Sequence, residues 1–225
     1  MKRLMLFSYV GFLLWILGTG PAAAQTGPEE LMAAIQAGDS AAVASILDAG
    51  GEPGRGLYGR TPLLVAMEEE HVGIFRLLLE RGADPAGKVR GLAPLIEVAA
   101  EVGNPEILEE LIARGANLEG RCPQQMSPLM LAIREGKPDA AKVLIEHGAD
   151  VDAQYGGTFP LMLGVQAGDL ASVRHLIEAG ADVKLANNRG DTALDRARVL
   201  DRNRTAGDDA PYAEIIAALE AAGGG

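Results

Sequence analysis

The chain holds a single cysteine, Cys122, among its 225 residues. One cysteine excludes an internal disulfide framework and any zinc site built on several thiolates. Aromatic residues make up only 4% of the chain and histidines number three. Basic residues are scarce as well: 20 Lys and Arg stand against 31 Asp and Glu, a formal net charge of -11. That excess repels phosphate, and no basic helix or stacking platform offsets it, so nucleic acid is disfavoured as a partner. Anionic membrane surfaces are disfavoured for the same reason. What is present is aliphatic. Hydrophobic residues reach 48%, mostly Ala, Leu, Ile and Val, which rules out disorder of the whole chain and favours helices over strands. The 29 Gly and 12 Pro must then punctuate those helices.

The N-terminus has the pattern of a secretory signal peptide. Lys2 and Arg3 precede an apolar run from Leu4 to Leu17, and Gly18, Gly20 and Pro21 break it before Ala22-Ala23-Ala24. The run is shorter than the ~20 apolar residues of a spanning helix. Cleavage after Ala24 is expected, with the product in the periplasm or, alternatively, secreted, and with no stable membrane insertion afterwards. Residues 1–24 carry two basic and no acidic residues, so the cleaved chain has a net charge of -13.

A repeat sets the fold. Gly82-Ala83-Asp84, Gly115-Ala116-Asn117, Gly148-Ala149-Asp150 and Gly180-Ala181-Asp182 follow one another, with Gly50-Gly51-Glu52 as an earlier, degenerate copy. Their spacing is 32 or 33 residues. Thr61-Pro62-Leu63, Ala93-Pro94-Leu95, Ser127-Pro128-Leu129, Phe159-Pro160-Leu161 and Thr192-Ala193-Leu194 keep the same period, each opening an apolar stretch. A hydroxyl before proline caps a helix start, and glycine in a left-handed conformation closes a helix end. Ala93 and Phe159 cannot cap, which predicts weaker first turns there. Second helices are predicted from near Asp39, Val72, Asn104, Pro138 and Asp169 to the glycine of each Gly-Ala-Asp. Each unit reads as a short helix, a tight turn, a longer helix and a loop of about ten residues. Gly59, Gly91, Gly157 and Gly190 stand at the loop tips, with Gln125 as the exception.

These motifs and their period resemble the ankyrin repeat, over nearly all of residues 28–222. The resemblance implies an all-α solenoid of about six helix-turn-helix units with hairpin-like loop fingers. The units are read as an N-terminal cap at 28–56, repeats at 57–89, 90–122, 123–155 and 156–188, and a C-terminal cap at 189–225, in one domain of 25–225. The histidine that usually follows Thr-Pro-Leu is replaced by Leu64, Ile96, Met130, Met162 and Asp195, so apolar packing is expected in its place. One extra residue between Pro94 and Gly103 predicts a bulge in that helix. The polar insertion from Asp201 to Asp209 precedes a last helix near Pro211 to Ala222, and Gly223-Gly224-Gly225 is read as a frayed end.

No catalytic constellation is visible. His71, His147 and His175 belong to different repeats, and no His-Glu-x-x-His occurs. Gly51 to Gly56 is glycine-rich but matches neither the Rossmann nor the P-loop order. Glu68-Glu69-Glu70 reads as a solvated helix face, and Asn203-Arg204-Thr205 is a glycosylation sequon. Cys122 beside Arg121 is a small, partly buried side chain or a reactive thiol. No enzyme activity, cofactor or metal is expected, and the chain is expected to be a monomer.

The resemblance implies a protein partner, docked on finger tips and on the exposed side of the first helices. Charge adds to this. Tip segments 55–60, 86–92, 119–126, 153–158 and 184–191 together carry +5, leaving -18 on the rest of the cleaved chain. Tyr58 and Tyr155 are aromatics at tips, and Tyr and Arg are enriched at interface hot spots. The expected contact set is Tyr58, Arg60, Arg90, Gln124, Met126, Tyr155 and Arg189, beside an acidic patch of Glu68, Glu69, Glu97 and Glu101. The expected function is a non-catalytic protein-binding module in an exported compartment. The alternatives are an inhibitor or immunity-type protein, or a stabilising partner, of an exported enzyme.

Overall fold

The structure is a computed structural model, and it describes residues 27–86, 88–89, 93–119, 126–203 and 211–223. Residues 1–26, with the expected signal sequence and its cleavage point, lie outside the described residues, as do Arg90, Gly91, the Arg121-Cys122 pair, Gln124, Gln125 and most of the C-terminal polar insertion.

Twelve helices occur among the described residues, in six consecutive pairs. The first members are α1 (Pro28–Gln36), α3 (Pro62–Glu68), α5 (Leu95–Val102), α7 (Pro128–Arg134), α9 (Pro160–Ala167) and α11 (Ala193–Arg202). The second members are α2 (Ser40–Asp48), α4 (Val72–Glu80), α6 (Pro105–Ala113), α8 (Pro138–Glu146), α10 (Leu170–Glu178) and α12 (Tyr212–Gly223). First helices pack on first helices and second on second, so two layers run the length of the solenoid. A two-stranded antiparallel pair, β1 (Lys88–Val89) and β2 (Ala93–Pro94), forms one finger. Single bridges at Leu57 and Arg60, Tyr155 and Thr158, and Ala186 and Thr192 form others.

The start and stop signals act as the sequence implies. Thr61 and Ser127 accept hydrogen bonds from the backbone N–H groups of Leu64 and Met130, at 3.2 and 3.3 Å. Phe159 gives α9 no side-chain cap. Each second helix from α2 to α10 is followed by a left-handed glycine: Gly50, Gly82, Gly115, Gly148 and Gly180. The Asp or Asn of the closing motif has a further role. Asp84, Asn117, Asp150 and Asp182 each accept from the backbone N–H two residues on, at 2.9 or 3.0 Å, and so start the finger as an Asx turn. Two stems are also joined between repeats: Asp150 N–H donates to Glu119 Oε1 at 2.9 Å, and Asp182 N–H to Asp152 Oδ1 at 3.0 Å.

α3 and α7 are apolar up to their last residue because nearly every side of them is covered. Pro62 through Met67 and Pro128 through Ile133 are buried without a break. Their polar side chains are therefore confined to the C-terminal ends. Phe75 of α4 is fully buried and belongs to the single core cluster that takes in both helix layers.

Two expectations need correction. The extra residue before Gly103 makes no bulge. Pro94 serves as the N-cap of α5, so the helix begins one residue late, at Leu95. This shifts the register: Glu97, and not Ile96, stands where Leu64, Met130 and Met162 stand in their helices. The last three residues bury as expected of the missing histidine's replacement, whereas Asp195 instead completes a capping box with Thr192. At the far end, α12 continues through Gly223, so fraying does not begin there.

Candidate functional site

Two of the fingers are two-residue turns of the mirror-image kind that suits a right-handed strand twist. In the Tyr155–Thr158 finger, Gly156 and Gly157 take φ of 57° and 82°. In the Leu57–Arg60 finger the same positions are Tyr58, φ 51°, and Gly59, φ 77°. A tyrosine thus sits where the Tyr155–Thr158 finger has glycine, in a conformation that costs a side chain about 1 kcal/mol or more. Tyr58 has no packing to offset this, being 102% exposed. Backbone strain kept at an exposed aromatic is a feature of functional sites.

The other expected contact residues divide. Tyr155 aligns with Leu57 and not with Tyr58. It is half-buried and packs back on the core, which corrects its placement as a free tip. Arg60 folds back onto Glu68 of its own first helix in an ion pair, so it is not a projecting cation. Arg189 is exposed at the last finger, whose turn is held by Asn187 Oδ1 accepting from Arg189 N–H at 2.8 Å and Asp191 N–H at 3.0 Å. Arg90 and Gln124 fall outside the described residues.

Met126 and Tyr155 do come together. With Glu97, Val98 and Glu101 of α5 and Leu131 and Arg134 of α7 they line a groove of about 220 Å³ across two first helices. Glu97 is 7% exposed at its floor. Arg134 spans the rim: its guanidinium donates to Glu101 at 3.1 Å, to Glu135 at 2.8 Å and to the Met126 sulfur at 3.2 Å. The sequence reading missed Arg134. The signal was available in the register, since Glu68, Glu101 and Arg134 occupy the same C-terminal position of successive first helices.

The opposite layer is tied by ion pairs between second helices. Arg81, the C-cap of α4, bonds Asp48 of α2 at 2.6 Å, and Arg76 of α4 bonds Glu110 of α6 at 2.6 Å. Glu110 also pairs with Arg114. Hydrogen bonds from Arg76 and then Arg114 hold the Glu110 carboxyl below its ordinary value near 4.5. Asp195 is likewise lowered, by the backbone N–H and hydroxyl of Thr192. A carboxyl depressed in the folded state adds stability above its unfolded value, and that contribution disappears as pH falls through the folded value. Glu110→Gln is therefore expected to lower the urea midpoint at neutral pH and to leave it unchanged in acid below the depressed value. An equal loss at both ends would contradict the assignment.

Among the described residues, no group of three or more His, Cys, Asp or Glu is arranged to hold a metal ion, and no helix is long and apolar enough to cross a membrane. His147 is a helix C-cap whose Nδ1 lies 2.9 Å from the Val143 carbonyl, a structural contact.

Models of ankyrin repeats match three stretches: "Ankyrin repeat" at residues 58–88, "Ankyrin repeats (3 copies)" at 84–155 and "Ankyrin repeats (many copies)" at 144–197. The chain belongs to the ankyrin repeat family. No curated protein matches it. Among solved structures, an ankyrin repeat domain from Acinetobacter baumannii AYE is similar at 25% identity and a TM-score of 0.71, over 86% of this chain and 97% of that one. The human ASB11 ankyrin repeat domain is similar at 28% identity and 0.68, over 85% and 81%. The ankyrin repeat domain of Bcl-3, described as a unique member of the IkappaB protein family, is similar at 25% identity and 0.64, over 85% and 97%. Ankyrin repeats are protein-interaction modules and generally non-catalytic. In this ankyrin domain the groove between α5 and α7 lies on the first-helix layer, beside the finger that holds Tyr155.

Proposed function

We propose that this ankyrin domain is a non-catalytic protein-binding module that acts as a monomer in the periplasm, holding a partner with its finger and first-helix surfaces. The observation that carries the reading is Tyr58: an exposed aromatic held in a left-handed turn where the aligned finger uses glycine. The groove lined by Met126 and Tyr155 supplies a second, continuous contact area. A rigid, preorganised surface of this kind loses little ordering entropy on binding. Export rests on the signal pattern of residues 1–24.

A net charge of -13 after cleavage favours a narrower version, an inhibitor of a basic exported enzyme, because opposite charge speeds capture. In that version affinity falls steeply with salt, and the captured enzyme loses activity. A stabilised enzyme would keep its activity.

The test is a pull-down from host extract with C-terminally tagged chain, beside a Tyr58→Ala/Tyr155→Ala/Arg189→Ala variant of matching circular dichroism. One partner held by the first and lost by the second is expected. A partner held equally by both would move the site to the second helices or the caps. The mass of the protein recovered from the periplasmic fraction should correspond to a chain beginning at Gln25, and an uncut chain would contradict export by cleavage.

A further inference from the structure

We infer that Met126 is an oxidation switch for the α5–α7 groove: hydrogen peroxide converts its thioether to the sulfoxide, Arg134 turns onto the new oxygen, and the groove loses part of its apolar wall. The inference rests on the protein-binding reading above and specifies how that surface is regulated. Three observations carry it. Met126 is half-buried, whereas Met32, Met67, Met130 and Met162 are at most 7% exposed, so among the described residues a small neutral oxidant reaches its sulfur first. Its side chain lines the groove of about 220 Å³, together with Val98, Leu131 and Tyr155. Its sulfur already accepts a hydrogen bond from Arg134 Nη1 at 3.2 Å.

The helix that follows sets this geometry. Met126 directly precedes Ser127, the N-cap of α7, and Arg134 is the last residue of α7. The guanidinium divides its donors, with Nη1 on Met126, Nη2 on Glu101 at 3.1 Å and Nε on Glu135 at 2.8 Å. A thioether is a weak acceptor. A sulfoxide oxygen is a strong one, and a charged donor strengthens the bond further. Oxidation therefore draws Arg134 toward Met126 and puts a polar, chiral group where the groove had a flexible apolar one. In the step itself a sulfur lone pair attacks one peroxide oxygen, and the S–O bond forms as the O–O bond breaks. The departing hydroxide takes the proton from the transferred oxygen and leaves as water. Sulfur gives up the electron pair that the peroxide gains. A methionine sulfoxide reductase restores the thioether, with a pair of electrons and a pair of protons carrying the oxygen away as water.

The test treats the full chain with hydrogen peroxide and follows oxygen uptake at each methionine by peptide mass mapping. Met126 is expected to oxidise at least about tenfold faster than Met32, Met67, Met130 or Met162. The ¹⁵Nε–H signal of Arg134 is expected to shift as the sulfoxide appears, with the circular dichroism unchanged. The oxidised chain is expected to hold the captured partner about tenfold more weakly, and treatment with the reductase to restore the affinity. Met126→Leu keeps an aliphatic wall and leaves Cys122 in place. It should bind the partner within about twofold of the unaltered chain and lose nothing to peroxide. The oxidation and Arg134 readouts require no altered protein, so they stand if Met126→Leu misfolds. The inference is overturned by even oxidation of these methionines, by an Arg134 signal that does not move, by unchanged affinity of the oxidised chain, or by an equal peroxide-induced loss in Met126→Leu. Any of these leaves the wider reading intact if the untreated chain still captures its partner through the fingers. Failure of the untreated chain to capture a partner strikes that reading, while the mass mapping and the Arg134 signal still decide whether Met126 is the modified residue.

Discussion

Phe75→Ala is expected to cost about 3–5 kcal/mol, the range for emptying a fully buried phenylalanine site. Phe75 is completely buried in α4 and is the bulkiest side chain so enclosed. It belongs to the continuous core that joins the two helix layers. A cavity there removes contacts with both layers, and a solenoid relies on nearest-neighbour interfaces to keep its repeats cooperative. The check is urea unfolding followed by far-UV circular dichroism, since the only tryptophan, Trp15, lies in the N-terminal apolar run, far in sequence from Phe75. A midpoint shift corresponding to several kcal/mol is expected, with a broadened transition if the solenoid uncouples at α4. A loss below about 1 kcal/mol would mean that the site collapses freely and that Phe75 does not anchor the core.

Tyr58→Gly should act in two opposite directions. The substitution removes a side chain from a left-handed position, φ 51°, and is expected to raise stability by about 1 kcal/mol. It also removes the exposed aromatic on which the binding proposal rests. Hot-spot truncations cost about 2 kcal/mol or more, so affinity for the captured partner should fall about 30-fold. Glu70→Gly is the matched control. Among the described residues Glu70 is the other non-glycine with positive φ, 57°, at the turn between α3 and α4. It should gain similar stability with unchanged affinity. Thermal unfolding and partner titration of both variants separate the two effects. Unchanged binding in Tyr58→Gly would leave the strained tyrosine without a purpose in recognition.

The contrast between those two residues shows what the sequence could tell. Helix boundaries were legible because their signals are local. A hydroxyl at Thr61 or Ser127 and a glycine after each second helix act on the backbone within a few residues. The resemblance to the family, and the stacked helix pairs it implies, came from the recurring motifs taken together with their period. The directions of long side chains were not legible, because they depend on how neighbouring repeats sit. Arg60 had the look of a projecting cation until the end of α3 brought Glu68 to it. Tyr155 reads as a tip residue in sequence, yet it stands at the position of Leu57, just before the two turn residues, and packs against the core. Glu97 was misplaced by one position because Pro94, a helix-starting residue elsewhere, lies outside α5 as its cap. A one-residue shift turned an apolar assignment into a carboxylate on the groove floor.

The central claim is that the first-helix and finger surfaces hold a protein partner. Hydrogen–deuterium exchange of the isolated complex, compared with the free chain, tests it most directly, because bound surface slows exchange segment by segment. The account predicts added protection in the fingers around Tyr58 and Tyr155 and at the C-terminal ends of α3, α5 and α7, with α4, α6 and α8 unchanged. Protection confined to those second helices, with the fingers exchanging as in the free chain, would contradict it.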